Sequence, residues 1–381
     1  MVSITRFIGI ALLVFQISFC FSCKKNDQPT SNVAMKFPKG YNEPVKGVWL
    51  TNVASDALFS RNNIVTAVEK CKKLGINTIF VVTLNDGYTM YRSQVMQDFL
   101  GHEIDPALDP ENTGRDPLQE VIEEAHKRDI KVFAWFEFGF SSSYNAQGGA
   151  ILKARPAWKC VTASGELCVK NKFDWMNALD PDVQKFVSSL LFEVIDNYEI
   201  DGIQGDDRLP AMPSMGGYDP KTIDLYKKEH SGQDPPKDHK DPDWVDWRAK
   251  KLNMFLKDLY QNIKEKDPDC IVSMSPSVYP WSKTEYLQDW PTWLEQGYVD
   301  MICPQVYRKD STSYKNTLES TLALIPNDKK HLFYPGLLIK ATGAKSPSQE
   351  LLNYMIRCNR DHGIKGEVFF YYEGLKQYQW D

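Results

Sequence analysis

Lys131-Val132-Phe133-Ala134-Trp135-Phe136, running on into Glu137-Phe138-Gly139, and Asp201-Gly202-Ile203-Gln204-Gly205, running on into Asp206-Asp207, decide the fold when they are read as a pair. Each is a short strand-like run that ends on carboxylates. The chain between them holds a helix: Asp180-Pro181 supplies an N-cap and a proline in the first turn, and Val183, Phe186, Val187, Leu190, Leu191 and Val194 recur on one face. The same strand–helix alternation extends in both directions. Upstream are a strand at Val45–Leu50, a helix with Ile64, Val65, Val68, Cys71 and Leu74 on one side and Gly75 as its stop, a strand at Thr78–Thr83, and a helix opened by Asp116-Pro117. Downstream come a helix over about 243–266 and strands at Cys270–Ser275 and Val299–Cys303. A helix near 314–325 follows, then a strand at His331–Tyr334 continuing to Ile339. Ser346-Pro347-Ser348-Gln349 reads as a capping box for a helix stopped by Gly363, and the last strand is Glu367–Tyr371.

Eight strands separated by helices predict an α/β fold, a closed (β/α)8 barrel. A doubly wound open sheet is the alternative, disfavoured because no Gly-rich phosphate loop follows the first strand. The chain ends at Asp381, too soon after the last strand for a full eighth helix. Either the barrel is open on that flank or the segment 24–44 folds back to cover it. Segments 84–115 and 208–242 read as long strand-to-helix loops on the face where barrels build their sites.

A length of 381 residues suggests two or three domains by the usual prior, yet one barrel with insertions accommodates it. The composition is that of a globular protein, with 42% hydrophobic and 25% charged residues, which excludes extensive disorder. A formal net charge of −5 argues against nucleic acid as a partner. Aromatic residues reach 12%, which suits a surface that stacks on flat ligands. Arg6 precedes an apolar run over residues 7–22, and Ser22-Cys23 is followed by a polar stretch. This resembles a bacterial lipoprotein signal, with residues 1–22 removed, Cys23 lipidated and residues 23–44 a tether to the membrane, leaving 45–381 as the barrel. A plain secretory signal cut nearby is the alternative. The expectation is an exported protein of the bacterial envelope, in the periplasm or at the cell surface. Of the remaining cysteines, Cys71, Cys270, Cys303 and Cys358 sit in core patterns. Cys160 and Cys168 flank a turn symmetrically, so a disulfide across a hairpin and two free thiols are both open.

The chemistry should lie at strand ends. Strand alternation points Ile203 at the helices and Gln204 and Asp206 at the barrel axis, so Asp206 is the candidate nucleophile or base, with Asp207 a donor-holding residue or second acid. Glycoside hydrolysis needs one protonated and one ionised carboxyl flanking a bond. Glu137, set between Phe136 and Phe138, is the candidate acid because an aromatic site raises a carboxyl pKa. Trp135, Gln204, Arg208, Gln305, Tyr307 and Glu373 stand at strand ends as candidate substrate contacts, Glu373 also being a spare carboxyl. Tyr88, Tyr91, Tyr144, Tyr279 and Trp281 are candidate sugar-stacking residues whose other role is packing. No zinc, phosphate-loop or Gly-x-Ser-x-Gly pattern is present, and no metal or cofactor is expected.

From about Val45 to Tyr372 the chain resembles the glycosyl hydrolase-like 10 family of bacterial envelope proteins. The resemblance rests on an ordered set of stretches: Gly47-Val48-Trp49-Leu50-Thr51, Glu123–Arg128, Ala134–Phe140, Asp201–Asp207, Gly217-Tyr218-Asp219, Val272–Pro276 and Gln305-Val306-Tyr307-Arg308. It implies a (β/α)8 barrel that hydrolyses a glycan, cell-wall glycan strands being a suggested class, and it supports Glu137, Asp206, Asp207, Gln305 and Tyr307 as site positions. Gly205 and Arg208-Leu209 depart from the pattern, which has a bulky apolar residue and an aromatic there, and so alter the sugar pocket. A glycosidase acting on peptidoglycan or another polysaccharide is the expected function. A catalytically weak glycan-binding lipoprotein and a structural envelope protein are the alternatives.

Overall fold

A computed structural model of the protein describes residues 37–340 and 346–380. The expected signal peptide, Cys23 and the first part of the expected tether lie outside the described residues. Eight parallel strands form one curled sheet: β1 (Lys46–Leu50), β2 (Thr78–Val82), β3 (Lys131–Phe136), β4 (Gly202–Gly205), β5 (Ile271–Met274), β6 (Met301–Ile302), β7 (Gly336–Leu338) and β8 (Glu367–Phe370). Their order across the sheet is β6-β5-β4-β3-β2-β1-β8-β7. Parallel bridges Ile302–Phe333 and Gln305–Gly336 join β6 to the β7 segment and close the (β/α)8 barrel.

Around it pack α1 (Arg61–Lys73), α2 (Pro117–His126), α3 (Pro181–Asn197), α4 (Pro242–Lys266), α5 (Trp290–Gln296), α6 (Ser311–Leu322) and α7 (Gln349–Asp361). Side-chain oxygens cap α2 and α3 as the sequence suggests: Asp116 accepts from the Gln119 N–H, and Asp180 from the Asp182 N–H, each ahead of a first-turn proline.

Several local readings change. His331 and Leu332 belong to a 3-10 helix, Asn327–Leu332, and the strand starts only at Gly336. The cap of α7 is Ser348, which accepts from the Leu351 N–H, rather than a box begun at Ser346. Segment 84–115 contains a two-stranded hairpin and the helix Gln94–Leu100, and segment 208–242 contains the helix Pro220–Glu229. These elements are too short for their periodicity to stand out from turn-rich sequence.

Cys160 and Cys168 do flank a hairpin, in which Val161 bridges Leu167, and both are buried and unbridged in this structure. Both sulfurs pack on Gly216, where an added Cβ would meet the Cys160 sulfur at 2.1 Å. Burial first, then contact with Cys168, pushes the Cys160 thiol well above its ordinary range and keeps it protonated.

No full eighth helix is present among the described residues. Instead a 3-10 helix, Tyr372–Gln377, follows β8, and the Trp380 ring meets Phe369 edge-on at 4.9 Å. The flank is thus covered by the C-terminal tail. Residues 37–44 lie elsewhere, at the strand N-terminal ends: the Tyr41 hydroxyl and Thr78 Oγ1 are 2.7 Å apart, and the Lys39 ammonium donates to the Pro268 carbonyl at 3.0 Å.

The barrel interior is filled rather than hollow. Phe80 and Phe133 meet at 4.9 Å, and register pairs Phe133 with Gly202. A Cβ on Gly202 would stand 2.6 Å from the Phe133 ring and 2.5 Å from the Ile271 carbonyl, so only glycine leaves room for the aromatic. Gly202→Ala should therefore destabilise the fold by about 1–3 kcal/mol through overpacking, read as a lower urea midpoint. An unchanged midpoint would contradict this account of the interior.

Candidate active site

Period-two alternation assembles the site. Phe133, Trp135 and Glu137 share one face of β3 and its extension, as Gly202, Gln204 and Asp206 do on β4, and register sets Trp135 opposite Gln204. Trp49, Trp135 and Phe370 form an aromatic layer, with Trp49 6.3 Å from Trp135 and 5.8 Å from Phe370. Within it the Trp49 indole donates to Gln204 Oε1 at 2.7 Å, and Gln204 Nε2 donates to Ser273 Oγ at 2.9 Å. Gln204 is fully buried with both ends engaged, so it belongs to the floor of the site and is not exposed to substrate. Trp135 is equally buried, and its indole N–H has no protein acceptor.

Glu137 and Asp206 rise from this floor one strand step above. Asp206 receives N–H groups from several sides: Gln305 Nε2 at 2.8 Å and the Asp207 backbone at 2.6 Å on Oδ1, and Arg208 Nη2 at 3.0 Å on Oδ2. Glu137 accepts from Asn85 Nδ2 at 2.7 Å on one oxygen and lies 3.4 Å from Arg208 Nη2 on the other. Asp207, the most open of the three, pairs with Arg208 Nη1 at 2.7 Å. Arg208 Nε also donates to the Glu137 carbonyl at 2.7 Å.

Two local features place this arginine. Gly205 lets the chain fold back, since a Cβ there would meet the Leu209 carbonyl at 2.4 Å, which accounts for the absence of a bulky residue. A small antiparallel sheet of Ser141–Tyr144, Val169–Lys170 and Phe173–Trp175 then lays Phe173 against the guanidinium, 4.4 Å from ring centre to Cζ.

Burial raises the pKa of the Glu137 carboxyl, with Arg208 and Asn85 opposing it. Burial, then the neighbouring Asp207 charge, pushes Asp206 well above the ordinary carboxylate range. Burial alone would weaken the Arg208 charge, but Asp207, Asp206 and Glu137 outweigh it and hold the guanidinium more firmly protonated than a free arginine. The cluster is suited to sharing protons among its carboxyls above the ordinary carboxylate range, the condition for one acid and one base.

The other expected residues divide. Gln305 touches Asp206 directly, and Tyr307 stands close enough for the Asp206 charge, after burial, to raise its hydroxyl pKa. Arg208 is central, but as a partner of the carboxyls. Glu373 is not brought to them: it is buried between Ser55 Oγ at 3.1 Å and the Lys376 ammonium at 2.6 Å. Tyr91 is core, donating to the Leu190 carbonyl at 3.2 Å. Tyr88 packs on His102 at 4.7 Å, and Tyr279 edges Trp290 at 6.2 Å. Trp281 and Tyr144 are exposed large aromatics, and Tyr144 is continuous with Phe173 at 5.1 Å.

Asn85 and Gln288 escaped the sequence reading. Gln288 Nε2 donates to the Asp206 carbonyl at 3.0 Å. Asn85 sits in Leu84-Asn85-Asp86-Gly87, a turn signal that disguises a site residue. A separate cleft of about 660 Å³ is lined by Lys309, Ser311, Ser348, Tyr354 and Arg357 among others, and none of the three carboxyls lines it.

A parallel eight-stranded barrel with clustered carboxyls at its C-terminal strand ends is the architecture of the TIM-barrel glycoside hydrolases. Residues 44–337 match the family described as Glycosyl hydrolase-like 10, and the chain belongs to that family. It is similar to Glycosyl hydrolase DigH of Escherichia coli strain K12, 28% identical over 291 residues, 69% of this chain and 62% of DigH. It is also similar to Glycosyl hydrolase YngK of Bacillus subtilis strain 168, 22% identical over 294 residues, 69% of this chain and 54% of YngK. The matched region thus spans little more than half to three-fifths of these relatives. Among solved structures, the PgaB (BpsB) glycoside hydrolase domain from Bordetella bronchiseptica shares the fold with a TM-score of 0.66 and 14% identity, covering 88% of this chain and 95% of that one. Alpha-L-fucosidase isoenzyme 2 from Paenibacillus thiaminolyticus does so with a TM-score of 0.61 and 16% identity, covering 86% and 46%.

The raised Glu137 pKa has a consequence for stability. Below the ordinary glutamate range both folded and unfolded states hold the proton, and Glu137 contributes nothing to pH dependence. As pH rises through that range, the unfolded chain releases its proton first and folding is penalised. The permanently neutral Glu137→Gln variant should therefore gain in melting temperature relative to the parent between pH 4 and pH 7. A difference that stays constant with pH would contradict the assignment.

Proposed function

We propose that the protein is a glycosidase of the bacterial envelope in which Glu137 is the general acid and Asp206 the nucleophile or base. The observation that carries this reading is the pair of contacts on Arg208 Nη2, 3.0 Å to Asp206 Oδ2 and 3.4 Å to Glu137 Oε1. Two oxygens sharing one nitrogen are no farther apart than those contacts laid end to end, about 6.4 Å. Carboxyls of retaining glycosidases stand about 5–5.5 Å apart and those of inverting enzymes about 6.5–9.5 Å. Nearest oxygens within that bound let both carboxyls act on one glycosidic bond. Burial and the Asp207 charge raise the Asp206 pKa, but N–H groups on both of its oxygens favour its ionised form, whereas Glu137, with one close donor and one long contact, suits the proton carrier of a pair that shares one proton.

Peptidoglycan glycan strands are the proposed substrate, supported by the family resemblance and by the Cys23 lipoprotein pattern that would tether the barrel to the envelope membrane. Tyr307, Tyr144 and Trp281 are the proposed sugar contacts. A glycan-binding barrel without turnover is the second reading. It is favoured by one observation, the engagement of all three carboxyls by Arg208.

Incubating the protein with peptide-free glycan strands, and with intact sacculi, should release soluble oligosaccharides. Asp206→Asn or Glu137→Gln should lower the rate by about 10²–10⁴-fold. The first product anomer seen by proton NMR assigns the role of Asp206, a kept configuration marking a nucleophile and an inverted one a base. Retention of the strands on the protein without any product would favour the binding reading.

A further inference from the structure

The three carboxyls face one cation. If Glu137, Asp206 and Asp207 were all ionised, the cluster would carry two uncompensated negative charges in a space where Arg208 is 8% and Asp206 4% exposed. Like charges this close do not all ionise together, so a proton is retained. Without the guanidinium a second proton would be retained, and the carboxyl needed as base or nucleophile would be neutralised. Arg208 also has little left to offer a sugar. Its Nε donates to the Glu137 carbonyl and its Nη2 to Asp206 and Glu137, its Nη1 stands in an ion pair with Asp207 at 2.7 Å, and one face is covered by Phe173.

We propose that Arg208 is a positioning residue, a built-in counter-cation that orients Glu137 and Asp206 and fixes how many protons the three carboxyls share, rather than a contact to substrate. This goes beyond the glycosidase reading, and only its kinetic arm rests on it. The other titratable groups facing the cluster come from neighbouring elements. They are the Tyr286 hydroxyl at the end of the helix Trp281–Tyr286, which interacts with both Arg208 and Asp207, and the Tyr307 hydroxyl beyond β6. One layer out, Lys170 lies 4.7 Å over the Tyr286 ring and pairs with Glu285 at 2.5 Å. Both tyrosines have pKa values raised by burial, so they stay neutral through the range in which the carboxyls titrate. The remaining neighbours, Asn85, Gln305, Phe138 and Phe173, carry no charge.

The test is carboxyl carbon NMR on protein labelled at Asp and Glu side chains, with the Glu137 and Asp206 signals assigned through Glu137→Gln and Asp206→Asn. Removing a cation favours the protonated carboxyl, so Arg208→Gln should move both titrations to higher pH by about one unit or more. Arg208→Lys keeps the charge but loses the fork, and should leave the titrations near the parent's. On peptide-free glycan strands, the pH–rate profile of Arg208→Gln should shift to the alkaline side with a lower kcat, while Arg208→Lys lowers kcat without moving the profile. Parent-like titrations in Arg208→Gln overturn the proposal, as does a variant whose KM alone rises. If Arg208→Gln does not fold, Arg208→Lys decides: parent-like titrations support the counter-cation, and titrations displaced to higher pH overturn it. Shifted titrations in a protein that cleaves no glycan would remove the glycosidase reading and leave the role of Arg208 standing.

Discussion

One guanidinium surrounded by three carboxyls is the interaction on which the upper half of this molecule is organised. Taking charges out of water is costly, and a buried ion cluster persists only when each charge finds partners with good geometry. Arg208 meets that demand through the end of β3, the end of β4 and the ring of Phe173 from the sheet inserted after β3. Removing any one carboxyl leaves the others still paired, whereas removing the arginine leaves buried negative charge unmatched. The long excursions after β3 and β4 thereby acquire a purpose: they bring Phe173 and the Leu209 turn to the one residue that needs cover.

The barrel below supplies rigidity for that arrangement. Trp49, Trp135 and Phe370 interlock beneath the carboxyls, and Gln204 is held at both ends by Trp49 and Ser273. Because β3 and β4 are paired in register, side chains two residues beyond each floor residue emerge side by side. The same rule that packs Phe133 against Gly202 deeper in the barrel sets the spacing of Glu137 and Asp206 at its mouth. The excursions are joined to one another as well: Lys170 and Lys240 both engage Glu285, and Asn171 donates to the Tyr286 hydroxyl at 2.8 Å. The rim of the site is therefore a connected set of loops.

Much of this could be read from the chain. Strand periodicity, proline-preceded caps and carboxylates at strand ends identified the barrel and put Glu137 and Asp206 on its axis, because these signals are local and repeat with the fold. The role of Arg208 was harder to see: a charged residue in a loop says nothing of which carboxyls will surround it until the chain has folded back at Gly205. Asn85 was hidden for the same reason, being in a turn by sequence and on Glu137 by tertiary contact. Gln204 and Glu373 show the opposite error. Both sit at strand ends, yet one is consumed by the floor and the other by Ser55 and Lys376. The Cys160–Cys168 hairpin was legible, but the packing of both sulfurs on Gly216 was not.

In the proposed mechanism a glycan is held with its scissile bond between Glu137 and Asp206. A crystal structure of the Glu137→Gln variant with a peptide-free glycan oligosaccharide tests it most directly. The glycosidic oxygen should lie within hydrogen-bond reach of residue 137, about 2.6–3.2 Å, with the anomeric carbon facing Asp206. A sugar chain bound instead in the cleft lined by Lys309, Tyr354 and Arg357, with the carboxyls untouched, would contradict it.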